Sequence, residues 1–165
     1  MEHQVYLGLG SNSADAKDKL FQAQAKIAAL PDIAPGRLSS LYYTEPQGYA
    51  AQPWFCNMVF GVTAGQTWGP VKLLQRLLAI ETELGRVRDV NNQFGPRCID
   101  IDLLLFGTQT NNDPFCLLPH PRMVQRAFVL VPLREIAPSI RINDVAIDAL
   151  LKKINYRLEN EVIYQ

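Results

Sequence analysis

The chain has 165 residues, 48% of them hydrophobic and 19% charged, a composition typical of one globular domain rather than of a disordered segment. Its 16 Lys and Arg side chains balance its 16 Asp and Glu side chains, which argues against binding of nucleic acid or of a membrane surface through bulk charge. No apolar run reaches the roughly 18 residues that a membrane-spanning helix needs, and the N-terminus lacks a secretory-signal pattern. The 3 cysteines lack the spacing of a metal site, so we expect reduced thiols and a cytoplasmic protein.

The first half of the chain alternates β-rich runs with two amphipathic segments. We predict strands where short runs are rich in β-branched and aromatic residues, and helices where apolar residues recur every three or four positions. Pro70 suits the first turn of the second helix, and Gly85 suits its C-cap. In chain order, we predict a strand over 5–10, a helix from Ser13 or Asp15 to Leu30, strands over 37–44 and 55–63, and a helix over 70–84.

The second half of the chain contains one further clear strand, over 99–106, between two turn-rich connections. The apolar run 127–133 is either a buried strand or the start of a helix. The order β-α-β-β-α-β favours an α+β fold with the ferredoxin-like plan: a βαββαβ core, a mainly antiparallel sheet and helices packed on its faces. We expect residues 1–165 to form a single domain.

The strongest chemical signal is the pair Asp100 and Asp102 in the strand 99–106. Residues two apart on a strand share a face, so these carboxylates project together, while Ile101 and Leu105 line the other face. Two neighbouring carboxylates need a compensating cation, and Mg²⁺ binds one or two carboxylates together with substrate phosphates. The spacing alone leaves two alternatives open, a magnesium site and a solvent-facing strand that carries two unrelated acids.

Other side chains suit contacts with a bound molecule. Glu81 falls on the apolar stripe of its helix, either at the edge of the stripe or turned towards a ligand. Phe55 and Asn57 share a strand face, and a ring beside an amide either holds a flat heterocycle or forms an ordinary cross-strand pair. His120 contacts a phosphate or a base, or fills a structural role. Four arginines suit a polyphosphate, although each alone could also pair with an acid: Arg86, Arg88, Arg97 and Arg126.

Together these segments resemble the 6-hydroxymethyl-7,8-dihydropterin pyrophosphokinase family. The resemblance runs from about residue 5 to about residue 140. Its most specific parts are Gly-Pro-Arg-x-x-Asp-x-Asp at 95–102 and Pro-His-Pro-Arg at 119–122. Further matching segments lie at 9–12, 42–44, 52–57, 81–88 and 126–133.

The resemblance implies an enzyme of folate biosynthesis that transfers pyrophosphate from ATP to 6-hydroxymethyl-7,8-dihydropterin and releases AMP. It implies two Mg²⁺ ions on Asp100 and Asp102. The implied catalytic residues are Arg86, Arg88, Arg97, Asp100 and Asp102. The implied ATP-binding residues are Glu81, Arg88, Arg97, His120 and Arg126. The implied pterin-binding residues are Thr44, Gln47, Phe55, Asn57, Asp100 and Phe128.

Three positions depart from residues that occur in some relatives, and there we expect altered affinity rather than lost activity: Leu78, Asp89 and Pro114. Three other functions stay open: a non-catalytic pterin- or nucleotide-binding relative, a ferredoxin-like RNA-binding or regulatory domain, and a kinase that transfers a single phosphoryl group. The paired aspartates argue against the first, and the zero net charge argues against the second. Only the family resemblance separates pyrophosphoryl transfer from the third. We expect a monomer.

Overall fold

Two long strands form the centre of the sheet. β1 (His3–Ser11) pairs antiparallel along its whole length with β4 (Phe55–Ala64), and its other edge pairs antiparallel with β5 (Asp100–Phe106). On the far side of β4 lie β2 (Ile33–Leu38) and β3 (Tyr42–Thr44), which pair with different halves of β4. The structure is a computed structural model that describes residues 1–46, 51–87 and 98–165.

Helices cover both faces of this sheet. α1 (Ala16–Ala28) and α2 (Pro70–Glu83) pack on one face and bury apolar residues that recur at helical spacing, for example Leu20, Ala23 and Ile27 on α1. α3 (Ala127–Ile136) and α4 (Ile147–Lys152) belong to a second apolar cluster on the opposite face. Within the described ranges, no helix combines the length and the apolar character needed to cross a bilayer.

The C-terminal part of the chain adds elements that the sequence pattern did not indicate. β6 (Arg141–Ile142) and β7 (Val145–Ala146) form a small hairpin, and β8 (Arg157–Glu159) and β9 (Val162–Tyr164) form a second one. β9 joins the main sheet by pairing parallel with β3, in an otherwise antiparallel arrangement. The strand order is β5-β1-β4-β3-β9-β8, with β2 also on β4.

The observed fold confirms a mixed α+β architecture with a mostly antiparallel sheet and corrects several details. The strand expected over 37–44 is two strands, because Ser39 uses its side chain and its N–H to bond the backbone of Val59 and interrupts the ladder. The run 127–133 is helical and belongs to α3. Leu105 does not share a cluster with Ile101, because a bulge in the β1–β5 pairing shifts the alternation of β5 after Leu103.

Candidate active site

Asp100 and Asp102 project from the same face of β5, as the strand spacing predicts, and their side chains are 26% and 31% exposed. On the neighbouring strand, Gly10 lies opposite Asp100 and Gly8 lies opposite Asp102. Because neither glycine has a side chain, the Asn57 amide can lie close over Gly10 and the Leu104 side chain can lie close over Gly8. The two acids line two separate cavities, so they form the boundary between them.

Gly10 also fixes the approach of an amide to the acids. It is paired with Asn57 on β4 and with Asp100 on β5, so the three residues form a row across three strands. A Cβ atom built on Gly10 would lie 2.6 Å from Asn57 Oδ1, which is closer than real Cβ contacts allow. A glycine at this position therefore lets the Asn57 amide lie over β1.

The first cavity is aromatic and neutral along most of its wall. Asn57 donates a hydrogen bond from Nδ2 to Thr44 Oγ1 at 2.8 Å, and both residues are buried. This bond fixes the orientation of the amide, so Oδ1 is held on the side of Gly10. Phe55 from β4 and Phe128 from α3 line the same cavity as half-buried rings. Such a wall can hold a flat ring that offers hydrogen-bonding atoms along one edge.

Arg126 connects the first cavity to the acids. Its Nη1 atom lies 4.0 Å from Asp102 Oδ2, and the centre of its guanidinium lies 5.4 Å from the centroid of the Phe128 ring. Arg126 is the N-cap residue of α3 and has extended backbone angles, while Phe128 lies in the first turn of that helix. The start of α3 therefore places a cation and an aromatic ring side by side in the cavity wall.

The second cavity has a charged wall that begins at the end of α2. The helix ends in a Schellman motif, in which Arg86 N–H bonds Glu81 O and Gly85 N–H bonds Thr82 O, with Gly85 at a φ of 97°. This turn confirms the predicted C-cap, and it returns the chain so that Arg86 lies beside Glu81. A glycine is required because other residues rarely adopt this φ.

Arg86 bridges two carboxylates. Its Nη1 atom lies 2.9 Å from Glu81 Oε1 and 2.7 Å from Asp100 Oδ1. The other oxygen of Glu81 accepts a hydrogen bond from Ile101 N–H at 2.6 Å. Glu81 is only 1% exposed, so both of its carboxylate oxygens are buried and bonded. Burial alone would lower the pKa of Arg86, but the negative charges of Asp100 and Glu81 outweigh it and raise that pKa. The arginine therefore stays charged and is held against Asp100.

His120 lines the second cavity as a neutral imidazole. Burial, with a smaller contribution from the charge of Arg126, lowers the pKa of His120 to about 4. Its Nδ1 atom accepts a hydrogen bond from Arg122 N–H at 3.2 Å, so the ring proton lies on Nε2. Its backbone N–H bonds Leu104 O at 3.0 Å, which ties the loop to β5. At neutral pH this residue offers a hydrogen-bond donor rather than a positive charge.

Comparison with known proteins identifies the family. The family described as 7,8-dihydro-6-hydroxymethylpterin-pyrophosphokinase (HPPK) matches residues 6–138. The chain belongs to this family. The 2-amino-4-hydroxy-6-hydroxymethyldihydropteridine pyrophosphokinase of Pseudomonas aeruginosa is 43% identical over 145 residues, which are 87% of this chain and 86% of the relative. The Bacillus subtilis protein of the same name is 39% identical over 140 residues, covering 85% of this chain and 81% of that relative.

Solved structures agree on the fold. A crystal structure of Plasmodium falciparum HPPK-DHPS with pteroate matches 93% of this chain with a TM-score of 0.66 at 14% identity. This chain spans 42% of that longer chain. The curated relatives are named pyrophosphokinases, and two further relatives are named folic acid synthesis proteins. This member of the HPPK family is accordingly a pyrophosphokinase, a transferase of folate biosynthesis.

Within this pyrophosphokinase, the predicted residues divide between the two cavities. Thr44, Phe55, Asn57, Arg126 and Phe128 line the first cavity. Glu81, Arg86 and His120 line the second cavity, and Asp100 and Asp102 line both. Arg126 was predicted on the ATP side, and its position at the first cavity, close to Asp102, is a finding of the structure. Gln47, Arg88 and Arg97 lie outside the described residues, so their predicted roles stay predictions.

Two of the three departures from the family pattern lie at the second cavity. Leu78 and Pro114 both line it, and Asp89 lies outside the described residues. Gly8 and Gly10, which lie opposite Asp102 and Asp100, were not among the predicted site residues. The signal that could have found them is their alternation in a strand, since glycines two apart expose one face of the backbone.

Proposed function

We propose that this pyrophosphokinase transfers the terminal diphosphate of ATP to the hydroxymethyl oxygen of 6-hydroxymethyl-7,8-dihydropterin and releases AMP. The observation that carries the proposal is the position of Asp100 and Asp102 between an aromatic cavity and a charged one. A reaction that joins a flat heterocycle to a polyphosphate needs a surface for the heterocycle on one side of the reacting centre and a surface for the polyphosphate on the other side. The names of the curated relatives specify the same pterin and the same reaction type.

In this proposal the first cavity binds the pterin. Phe55 and Phe128 stack on the ring, and Asn57, oriented by Thr44, bonds the polar edge of the heterocycle. Gln47 is proposed to complete this pocket. Gly10 leaves room for the Asn57 amide next to Asp100. The hydroxymethyl group then lies towards the carboxylate pair.

The second cavity is proposed to bind ATP. His120 donates from Nε2, and Arg86 supplies a permanent charge next to Asp100. Both oxygens of Glu81 are engaged by Arg86 and Ile101 N–H, so we propose that Glu81 serves the nucleotide by orienting Arg86. Arg88, Arg97 and Arg126 are proposed as further phosphate ligands.

Asp100 and Asp102 fit a site for two Mg²⁺ ions. Their carboxylates project from one face of β5 and supply the oxygen ligands that Mg²⁺ prefers. The described residues hold no cluster of three or more His, Cys, Asp or Glu side chains suited to a metal, and Mg²⁺ instead takes one or two carboxylates and completes its shell with substrate phosphates and water. When bound, Mg²⁺ would neutralise phosphate charge and lower the pKa of a coordinated hydroxyl.

The proposed reaction is a direct displacement. The hydroxymethyl oxygen of the pterin forms a bond to the β-phosphorus of ATP, the bond from that phosphorus to the bridging oxygen of AMP breaks, and the hydroxyl proton passes to Asp102. Arg86, which lines the ATP cavity, is proposed to stabilise the charge that shifts to the leaving oxygen, while Arg126 lies beside Asp102 on the pterin side. The catalytic roles of Arg88 and Arg97 are proposed from the family resemblance alone.

We further propose that the core follows the ferredoxin-like plan and that residues 1–165 form one domain. The antiparallel order β5-β1-β4 with β2 and β3 on the far edge, and α1 and α2 on one face, supports the first point. The pairing of β9 with β3 supports the second, since it joins the C-terminal hairpin to the main sheet. A cytoplasmic monomer is proposed because all three cysteines are free and one chain lines both cavities.

One assay tests the reaction. The protein is incubated with ATP, Mg²⁺ and 6-hydroxymethyl-7,8-dihydropterin, and the nucleotides are separated by chromatography. We expect AMP to form only when the pterin is present. Formation of ADP would identify a single phosphoryl transfer instead, and an unchanged nucleotide pool would identify a binding protein. Either of these results would overturn the proposal.

A further inference from the structure

Gln165 makes two hydrogen bonds that enclose Arg126. Its Oε1 atom accepts a bond from Ala127 N–H at 2.8 Å, and its Nε2 atom donates to Gln125 O at 2.7 Å. Ala127 is the first residue of α3, so its N–H has no partner within the helix. The Gln165 amide therefore holds the peptide groups on both sides of Arg126.

The enclosed segment sets the positions of two residues in the first cavity. Arg126 lies in extended conformation directly before the helix, with its guanidinium 4.0 Å from Asp102 and over the Phe128 ring. A rotation of the Gln125–Ala127 backbone would move both side chains at once.

Gln165 is itself anchored to the opposite wall of the cavity. It follows β9, in which Ile163 is 1% exposed and pairs with Thr44 of β3. Thr44 in turn accepts the hydrogen bond that orients Asn57. A short path of backbone pairing and side-chain bonds therefore connects Asn57 on one wall with Phe128 on the other.

We propose that Gln165 is a positioning residue that fixes the separation of the two walls of the first cavity and the direction of Arg126. Gln165 lies beyond residues 6–138, the part of the chain that matches the family, so this function belongs to a segment outside the matched region. The inference rests on the proposed function only in identifying the first cavity as the pterin site. The inference predicts that the wild type binds pterin more tightly than a variant that lacks the Gln165 side chain.

Calorimetry on the full chain tests this inference. The dissociation constant of 6-hydroxymethyl-7,8-dihydropterin is measured with Mg²⁺ and a nonhydrolysable ATP analogue for the wild type, Gln165→Ala and Gln165→Glu. The alanine variant loses both bonds, and we expect pterin to bind about fivefold more weakly. The glutamate variant keeps the acceptor for Ala127 N–H but loses the donor to Gln125 O, so we expect an intermediate value. Gln22→Ala on the exposed face of α1 is the matched control and should bind as the wild type does.

Two further measurements separate positioning from a general loss of structure. In Gln165→Ala, the Ala127 amide should exchange its hydrogen about fivefold faster, while Val129 and Leu130, which bond Arg126 O, keep their protection. In a double-mutant cycle with Phe128→Ala, the loss of pterin affinity should be less than additive, because Gln165 acts through Phe128. An additive cycle, or faster exchange with unchanged affinity, would overturn the inference.

The outcomes distinguish this inference from the proposed function. A wild-type protein that binds no pterin would refute both the pterin site and the positioning role. A wild-type protein that binds pterin, with a Gln165→Ala variant of equal affinity, would refute the positioning role alone. The amide exchange of Ala127 is measured without any substrate, so it reports on the hydrogen bonds of Gln165 whichever ligand the cavity takes.

Discussion

The two cavities share one pair of acids but differ in how their walls are made. The wall of the first cavity comes from β1, β3, β4 and the first turn of α3, and its internal contacts are a neutral hydrogen bond and aromatic surfaces. The wall of the second comes from α2, the chain just after it, and the connection around His120, with a buried ion pair at its centre. One wall therefore offers shape and a hydrogen-bonding pattern, and the other offers charge.

This difference explains the position of the acids on β5. In the described part of the chain, β5 is an edge strand of the sheet. One of its edges pairs with β1, and its other edge can bond side chains. Glu81 takes the Ile101 N–H on that second edge, and this holds Arg86 against Asp100. The β5 backbone that carries the two carboxylates is therefore held on both edges, by β1 and by Glu81.

The largest effect is expected when charge is removed from one of the two aspartates that line both cavities. We expect Asp102→Asn to lower the rate of AMP formation by about 10³-fold or more, because an amide lacks the charge that binds a cation and accepts a proton. The proposed pterin contacts Phe55, Asn57 and Phe128 are unchanged in this variant, so the pterin affinity should fall less than the rate. Asp148→Asn on α4, an exposed acid paired with Arg134, is the control and should keep wild-type turnover. Normal turnover in the Asp102 variant would refute the shared-acid arrangement.

A crossed pair of aromatic substitutions tests whether the two cavities bind different ligands. Phe128→Ala should weaken pterin binding by about tenfold or more, since stacking on an aromatic ring is lost, and leave the affinity for the ATP analogue near that of the wild type. Phe115→Ala, in the second cavity, should show the opposite pattern. Both affinities are measured by calorimetry. Equal losses for both ligands in either variant would contradict the division.

The charged wall should depend on Glu81 for stability. Glu81→Gln removes the charge of a buried side chain that bonds both Arg86 and Ile101 N–H, and we expect a loss of about 2 kcal/mol in the free energy of unfolding. Glu83→Gln on the same helix is the matched control. Its carboxylate is exposed and pairs with Lys26 and Arg76, so the loss of its charge should lower the free energy of unfolding much less than Glu81→Gln does. Urea denaturation of both variants measures the difference, and equal costs would contradict the role of Glu81.

The smallest expected effect concerns His120, whose imidazole should not titrate near neutral pH. The pKa of His120 is lowered to about 4, chiefly by burial, so its NMR signals should stay constant from pH 8 to about pH 5.5. Because the unfolded histidine takes up a proton at higher pH than the folded one, stability should fall as pH drops from about 6.5 towards 4. His120→Gln should remove this contribution to the pH dependence of stability. Its spectrum should also lack the His120 signals and so assign them.

The same titration sharpens the comparison of the cavities. Addition of the ATP analogue with Mg²⁺ should raise the pKa of His120, because phosphate charge favours the protonated imidazole. Pterin alone should leave it unchanged. A pterin-induced shift of equal size would show that the two cavities are not electrostatically separate.

The sequence by itself determined the local features of this protein. The spacing of Asp100 and Asp102 predicted that they share a face, because alternation in a strand is a property of neighbouring residues. Pro70 and Gly85 predicted the ends of α2, and the run of motifs predicted the family. In each case the information lies within a few residues of the feature or in the order of the segments.

The tertiary structure alone decided the contacts between distant segments. Glu81 meets Ile101 N–H, Ser39 interrupts a strand by bonding Val59, and Gln165 caps α3 from the end of β9. None of these contacts produces a periodic pattern in the sequence. In each one a polar side chain bonds a backbone N–H, which nearly every residue type has. They follow from which strands pair and where a helix begins, and those are properties of the packed chain as a whole.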